Sequence, residues 1–220
     1  DTSSGTNFYT TWYACNSLTS FPLLDTSSGT NFGYAWYLCS KLTSFPLLDT
    51  SIGTNFDNAW RGCSKLTSFP LLDVGSGTNF AQAWYQCGAL TSFPLLDTSS
   101  GTNFSQTWSY CTGLTSFPAL DLSSGKTFAH IWVGCTNLAT FPANMFDTTG
   151  TLAATAFHNA WKNCALTAQS IENILESLVA NTATNITLTL DGGTNAGYST
   201  WSPAAVTAFD TLETRGWTIA

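Results

Sequence analysis

The sequence predicts an α/β solenoid of 24-residue units, with a parallel sheet on one face, short helices on the other, and an α/β C-terminal cap. Three observations carry this expectation. Cys15, Cys39, Cys63, Cys87, Cys111 and Cys135 are each 24 residues apart, and Trp12, Trp36, Trp60, Trp84, Trp108 and Trp132 keep the same step. Within each unit an apolar set at helical spacing is followed by a short extended one. After Cys164 the composition shifts to longer helical and strand patterns. A fixed period of this size marks a repeat architecture, in which no unit can bury its apolar face alone.

The unit reads LTSFPLLDTSSGTNFxxAWxxC. Phe8, Thr11, Trp12 and Cys15 stand at i, i+3, i+4 and i+7, one face of a two-turn helix. Thr6 or Asn7 before them suits an N-cap. Leu18, Phe21 and Leu23 follow with an extended pattern, so residues 18–22 (LTSFP) read as a short strand. A Pro in every such strand is tolerable only at its last position, where no ladder donor is needed. Residues 25–29 (DTSSG) read as a turn, with Asp25 placed to accept nearby backbone amides.

Phe157, Trp161 and Cys164 form a seventh, looser copy, with five extra residues before its Cys. The stretch 168–180 (AQSIENILESLVA) has helical spacing at Ile171, Ile174, Leu175 and Leu178. Residues 186–190 (ITLTL) alternate as a strand, Pro203 opens a second helix running to about Arg215, and residues 217–219 read as a last edge strand. The expected organisation is six regular repeats over residues 1–142, a divergent seventh over 143–165, and capping turns over 166–220 of the same domain.

The pattern F-xx-AW-xx-C-xx-L-xx-F-P resembles BspA-like, or Treponema-type, leucine-rich repeats, whose core is AF-xx-C-xx-L-xx-I with a Pro close after the strand. Here Trp replaces the second aromatic and the Pro comes earlier. The resemblance covers residues 1 to about 165, and the tail is similar to segments that follow such repeats in phage and environmental bacterial proteins. It implies a leucine-rich-repeat solenoid and association with bacterial surface proteins, adhesion, and phage tails or fibres, hence a virion tail or an extracellular cell surface.

Composition excludes several classes. Charged residues are 9% of the chain and the net charge is −7, so solubility rests on Thr, Ser, Asn and Gly. The six Lys and Arg are scattered, which argues against nucleic acid and against an anionic membrane surface. No run of about 18 apolar residues exists to cross a bilayer. No signal peptide is visible, and residue 1 falls within a repeat, as in a chain trimmed at its N-terminus, so a missing leader is uninformative.

The repeat also places possible chemistry in columns. The seven Cys lack paired C-x-x-C spacing and share the face of Phe and Trp, so buried reduced thiols are expected rather than a metal or disulfide array. Asp25, Asp49, Asp73, Asp97 and Asp121, with Asp1 and Asp147, form a carboxylate column that caps turns or, alternatively, gathers calcium. Asn7, Asn31, Asn55, Asn79 and Asn103 read as a structural ladder. His130 and His158 have no partner motif, and no nucleophile elbow, metal helix or phosphate loop occurs, so neither an enzyme nor a cofactor is expected.

The repeats differ at offsets +2, +5, +6 and +9 from the Phe that opens each helix, the helical face opposite the core. Tyr13, Tyr34, Tyr37, Asn58, Arg61, Gln82, Tyr85, Gln106, Tyr110 and His130 lie there, with no Asp or Glu at these offsets in the six regular copies. Tyr among small polar residues is the composition of binding surfaces. The expected function is therefore a non-catalytic recognition module, an adhesin or receptor-binding protein whose partner is a cell-surface glycan or envelope protein. A purely structural spacer is the alternative, and ice binding through the Ser/Thr/Pro face ranks below it.

Overall fold

The computed structural model describes residues 2–220. Its helices and strands all lie after residue 167: α1 is Ala168–Ala180, β1 Thr187–Leu188, α2 Pro203–Thr214 and β2 Thr218–Ile219, with a 3₁₀ turn at Tyr198–Thr200. The expected leucine-rich-repeat solenoid is thereby corrected. Among the described residues no repeat forms a helix, and the one sheet is the parallel pair β1 and β2, with Thr187 opposite Thr218.

The helix fails because two residues in each expected two-turn helix are left-handed. At offsets +2 and +6 the non-glycine residues of the six regular repeats have φ between 55° and 61°, among them Thr10, Ala14, Tyr34, Leu38, Gln106 and Tyr110. Each such residue costs about 1–3 kcal/mol and persists only where its surroundings fix it. Here the surroundings are the neighbouring repeats. The N–H groups of Phe8, Thr10, Trp12 and Ala14 donate to the carbonyls of Asn31, Gly33, Ala35 and Tyr37 at 2.7–3.0 Å. The intervening N–H groups of Thr11, Tyr13 and Cys15 close reverse turns onto Phe8, Thr10 and Trp12. The same alternation joins each later repeat to the next. Turns recurring every four residues bury the same positions as a 3.6-residue helix over so short a stretch, which is why the spacing pointed to a helix.

The expected strands fail for want of donors. Pro22, Pro46, Pro70 and their equivalents carry no N–H, and the N–H groups of Leu48, Leu72, Leu96 and Leu120 turn back onto the preceding Pro carbonyls at 2.9–3.0 Å. A single bond such as Thr43 N–H to the Thr19 carbonyl, 3.0 Å, links neighbouring segments there.

Side chains form columns along the repeats. Trp36, Trp60, Trp84, Trp108, Trp132 and Trp161 are fully buried, and the seven indoles from Trp12 onward are near-parallel with centroids 5.2–5.9 Å apart. Phe21, Phe45, Phe69, Phe93, Phe117 and Phe141 stand roughly perpendicular beside them. The six buried indole N–H groups have no hydrogen-bond partner. Cys39, Cys63, Cys87, Cys111, Cys135 and Cys164 are free, buried thiols that donate to Trp carbonyls at 3.1–3.2 Å. Burial pushes Cys39 up to about 11 and Cys111 and Cys164 up to about 12.

The polar columns are structural. Asn55 Nδ2 donates to Asn31 Oδ1 at 2.9 Å, and each ladder Oδ1 accepts the N–H two residues on. Asp25, Asp49, Asp97 and Asp121 likewise accept Ser N–H groups two residues later, and Asp73 accepts that of Gly75. Asp147 accepts from Ser177 at 2.6 Å, whereas Asp1 lies outside the described residues. No group of three or more His, Cys, Asp or Glu that could hold a metal ion occurs among the described residues.

The tail docks on the last repeats. Thr167 caps α1 by accepting the Ser170 N–H, and Ile171, Ile174, Leu175 and Leu178 are buried, as their spacing predicts. Ser170 and Ser177 accept the N–H groups of Phe141 and Phe146. Ser202 caps α2, with Pro203 in its first turn. Asn163 N–H reaches the Asp191 carbonyl at 3.0 Å, and Phe157 bridges Leu188, so the cross-repeat ladder runs into β1.

Candidate functional site

The ten residues singled out by variation lie on one strip, but the strip is not a helical face. It is the row of left-handed corners at +2 and +6 with the +5 positions between them. None of these ten side chains belongs to the apolar core of Phe, Trp, Cys and Leu, so these positions vary while Trp and Cys do not.

In the first half of the strip the rings, the amides and the Arg61 guanidinium pack on one another. Tyr13 stacks on Tyr37 at 4.7 Å, and Tyr34 lies 5.4 Å from Tyr37. The Arg61 guanidinium sits between Tyr37 and Tyr85, 5.5 and 4.5 Å from their ring centroids, a cation–π arrangement. Arg61 also donates to Asn58 Oδ1 at 3.1 Å and to Gln82 Oε1. Asn58 is buried and donates to Asp57 Oδ1 at 2.7 Å. Burial raises the Asp57 carboxyl, against the Asn58 bond and the Arg61 charge, and burial together with Asp57 raises the Tyr34 phenol.

The second half opens into a cleft of about 310 Å³ lined by Tyr85, Gln106, Tyr110, His130, Val133, Asn159, Lys162 and Asn163. Tyr85 and Tyr110 meet edge to face at 5.5 Å. His130 and His158, on adjacent repeats, stand edge to face at 5.3 Å. Burial, and secondarily His158, pushes the His130 imidazole below its ordinary value. Lys162 is loosely paired with Asp191 at 3.8 Å, both side chains being nearly half exposed. The Gln106 amide and the Tyr85 and Tyr110 hydroxyls have no side-chain hydrogen-bond partner among the described residues. The cleft can therefore offer two aromatic rings with their phenols, three side-chain amides, an imidazole and an ammonium group.

Four of the ten expected residues, Tyr85, Gln106, Tyr110 and His130, meet in this cleft. Tyr13, Tyr34, Tyr37, Asn58, Arg61 and Gln82 lie in the half packed around Arg61. Sequence reasoning missed Asn159, Lys162 and Asn163. They occupy the same offsets, +2, +5 and +6, counted from Phe157 of the seventh copy, so extending the comparison to that copy would have found them. A second cavity, about 420 Å³, lies in the tail beside Tyr198, Trp201 and Phe209. Those rings pack on one another at 5.1–5.8 Å, and the Trp201 indole is bonded to the Ala196 carbonyl. No sequence signal pointed there.

Comparison with protein-family models, with curated proteins and with solved structures found no match to this chain. No helix among the described residues is long and apolar enough to cross a membrane.

Proposed function

We propose that the chain is a non-catalytic recognition module that binds a cell-surface glycan through the cleft of Tyr85, Gln106, Tyr110, His130, Asn159 and Lys162. One observation carries this reading. The Gln106 amide and the Tyr85 and Tyr110 hydroxyls, none with a side-chain hydrogen-bond partner among the described residues, line one cleft with an imidazole and an ammonium group beside two aromatic rings. Sugars need both, because ring C–H faces stack on aromatics while hydroxyls take directed polar partners. The cleft is at the small end of ligand sites, which suits one or two sugar units of a longer chain. A virion tail or a bacterial surface is where such a module would meet its ligand.

The test is a glycan array probed with the intact chain beside two variants. Changing Gln106→Ala with Tyr110→Ser should abolish binding, whereas Tyr34→Ser with Tyr37→Ser should retain it. Binding lost only in the second variant would move the site to the first half of the strip. No binding by the intact chain would leave the spacer reading.

A further inference from the structure

We infer that the sugar taken by this cleft carries a carboxylate, as a uronic or nonulosonic acid does. The inference rests on the glycan reading above and names its ligand class. No carboxylate lines the cleft, in a chain with thirteen acids and six Lys and Arg. One of those six, Lys162, does line it. Its ammonium has three donors, and its one acidic neighbour, Asp191, stands at 3.8 Å and half exposed. Donors thus remain for an incoming anion.

The histidine pair adds a second, proton-linked cation. The titratable groups facing His130 are His158 and Lys162 of the seventh repeat, Tyr110 and Tyr85 of the preceding ones, and Asp191 beyond Lys162. In the free protein, burial and His158 hold His130 neutral at pH 7. A bound carboxylate reverses that balance and favours the imidazolium. Binding an acidic sugar therefore takes up a proton, and its affinity rises as pH falls toward 5.5, until the sugar carboxyl itself protonates. A neutral sugar gains nothing from this. Gln106 and the two phenols would meet ring hydroxyls, which separates an acidic sugar from a bare anion.

The experiment is calorimetric titration of the whole chain with sialyllactose, with a glucuronate disaccharide and with lactose, at pH 7.0 and 5.5. His130 and His158 ring signals are followed by NMR. One of the acidic sugars should bind about tenfold or more tighter than lactose, as expected when a hydrogen bond gains a charged partner. The preference should grow at pH 5.5, and the His130 titration midpoint should rise on binding. Lys162→Gln, checked for an unchanged circular dichroism spectrum, should lower acidic-sugar affinity about tenfold more than lactose affinity.

Equal affinities for acidic and neutral sugars, or a preference that Lys162→Gln leaves intact, would overturn this inference and leave the glycan reading standing. A poly-glutamate peptide bound as tightly as the acidic sugar would overturn it too, since the cleft would then read charge alone. Failure of every sugar on both the array and the calorimeter would remove the glycan reading itself.

Discussion

The two halves of the variable strip use the same residue types to opposite ends. Around Arg61, rings and amides satisfy one another: two tyrosines cover the guanidinium, and Asn58 and Gln82 accept from it. Around Tyr110 similar groups meet edge to face and line a cleft, with no cation between the rings. Composition is nearly the same in both, so composition does not make a binding surface. What differs is whether a cation fills the +5 position between neighbouring tyrosines. Arg61 does so in the third repeat, whereas Ser109 and Val133 at +5 are too short to reach across.

Both halves rest on the indole column. Trp84→Ala removes a fully buried indole from between two others and should cost about 3–5 kcal/mol, read as a lowered urea midpoint. Trp12, at the half-buried end of the column, should cost clearly less. If the two substitutions cost the same, the indole column is not the shared support.

Arg61→Ala should destabilise by about 2 kcal/mol, from lost ring contacts and charged hydrogen bonds, yet lower ligand affinity only about twofold, since Tyr85 alone joins it to the cleft. Gln106→Ala with Tyr110→Ser should do the reverse, lowering glycan affinity about tenfold or more with a smaller stability change. An equally large loss of affinity in the Arg61 variant would merge the two halves into one site.

The left-handed corners make a smaller prediction. Gly62 has φ 74°, and a Cβ there would meet Leu38 Cδ2 at 2.5 Å, so Gly62→Ala should cost about 1–2 kcal/mol. Gln86 occupies the same offset with φ 61° and is exposed. Gln86→Gly should relieve its strain and raise stability by about 0.5 kcal/mol, visible as a shift of about a degree or two in Tm.

The smallest perturbation is a thiol titration. Cys15 is the one exposed cysteine among seven, and it should react promptly with a disulfide reagent. The other six should stay silent until denaturant is added, because burial holds them as thiols rather than thiolates.

Much of this was legible in the sequence because repetition labels columns. The 24-residue step identified Phe, Trp and Cys as core, Asn as a ladder and Asp as turn caps, and the tail helices followed from Ile171, Ile174, Leu175 and Leu178. The repeat backbone was not legible. Phe8, Trp12 and Cys15 fit a 3.6-residue period and a four-residue period equally well. Nothing about Thr10 or Tyr34 announces a positive φ, since neighbouring repeats impose it rather than intrinsic preference. Pro22 warned against a strand, and the warning outweighed the extended pattern around it. The site was half legible: variation found the strip, but only side-chain packing separates Tyr37, which is covered, from Tyr110, which is not.

The cross-repeat bonds also set how the molecule should yield to a pull. Each repeat is tied only to its immediate neighbours, by bonds pointing from one repeat toward the next. A force applied at the first repeat therefore loads a few hydrogen bonds at a time, as in opening a zipper, rather than shearing a whole sheet at once. Each released unit frees 24 residues, about 80 Å of extended chain at the usual reach per residue. Stretched between two anchors, the regular repeats would lengthen one unit at a time.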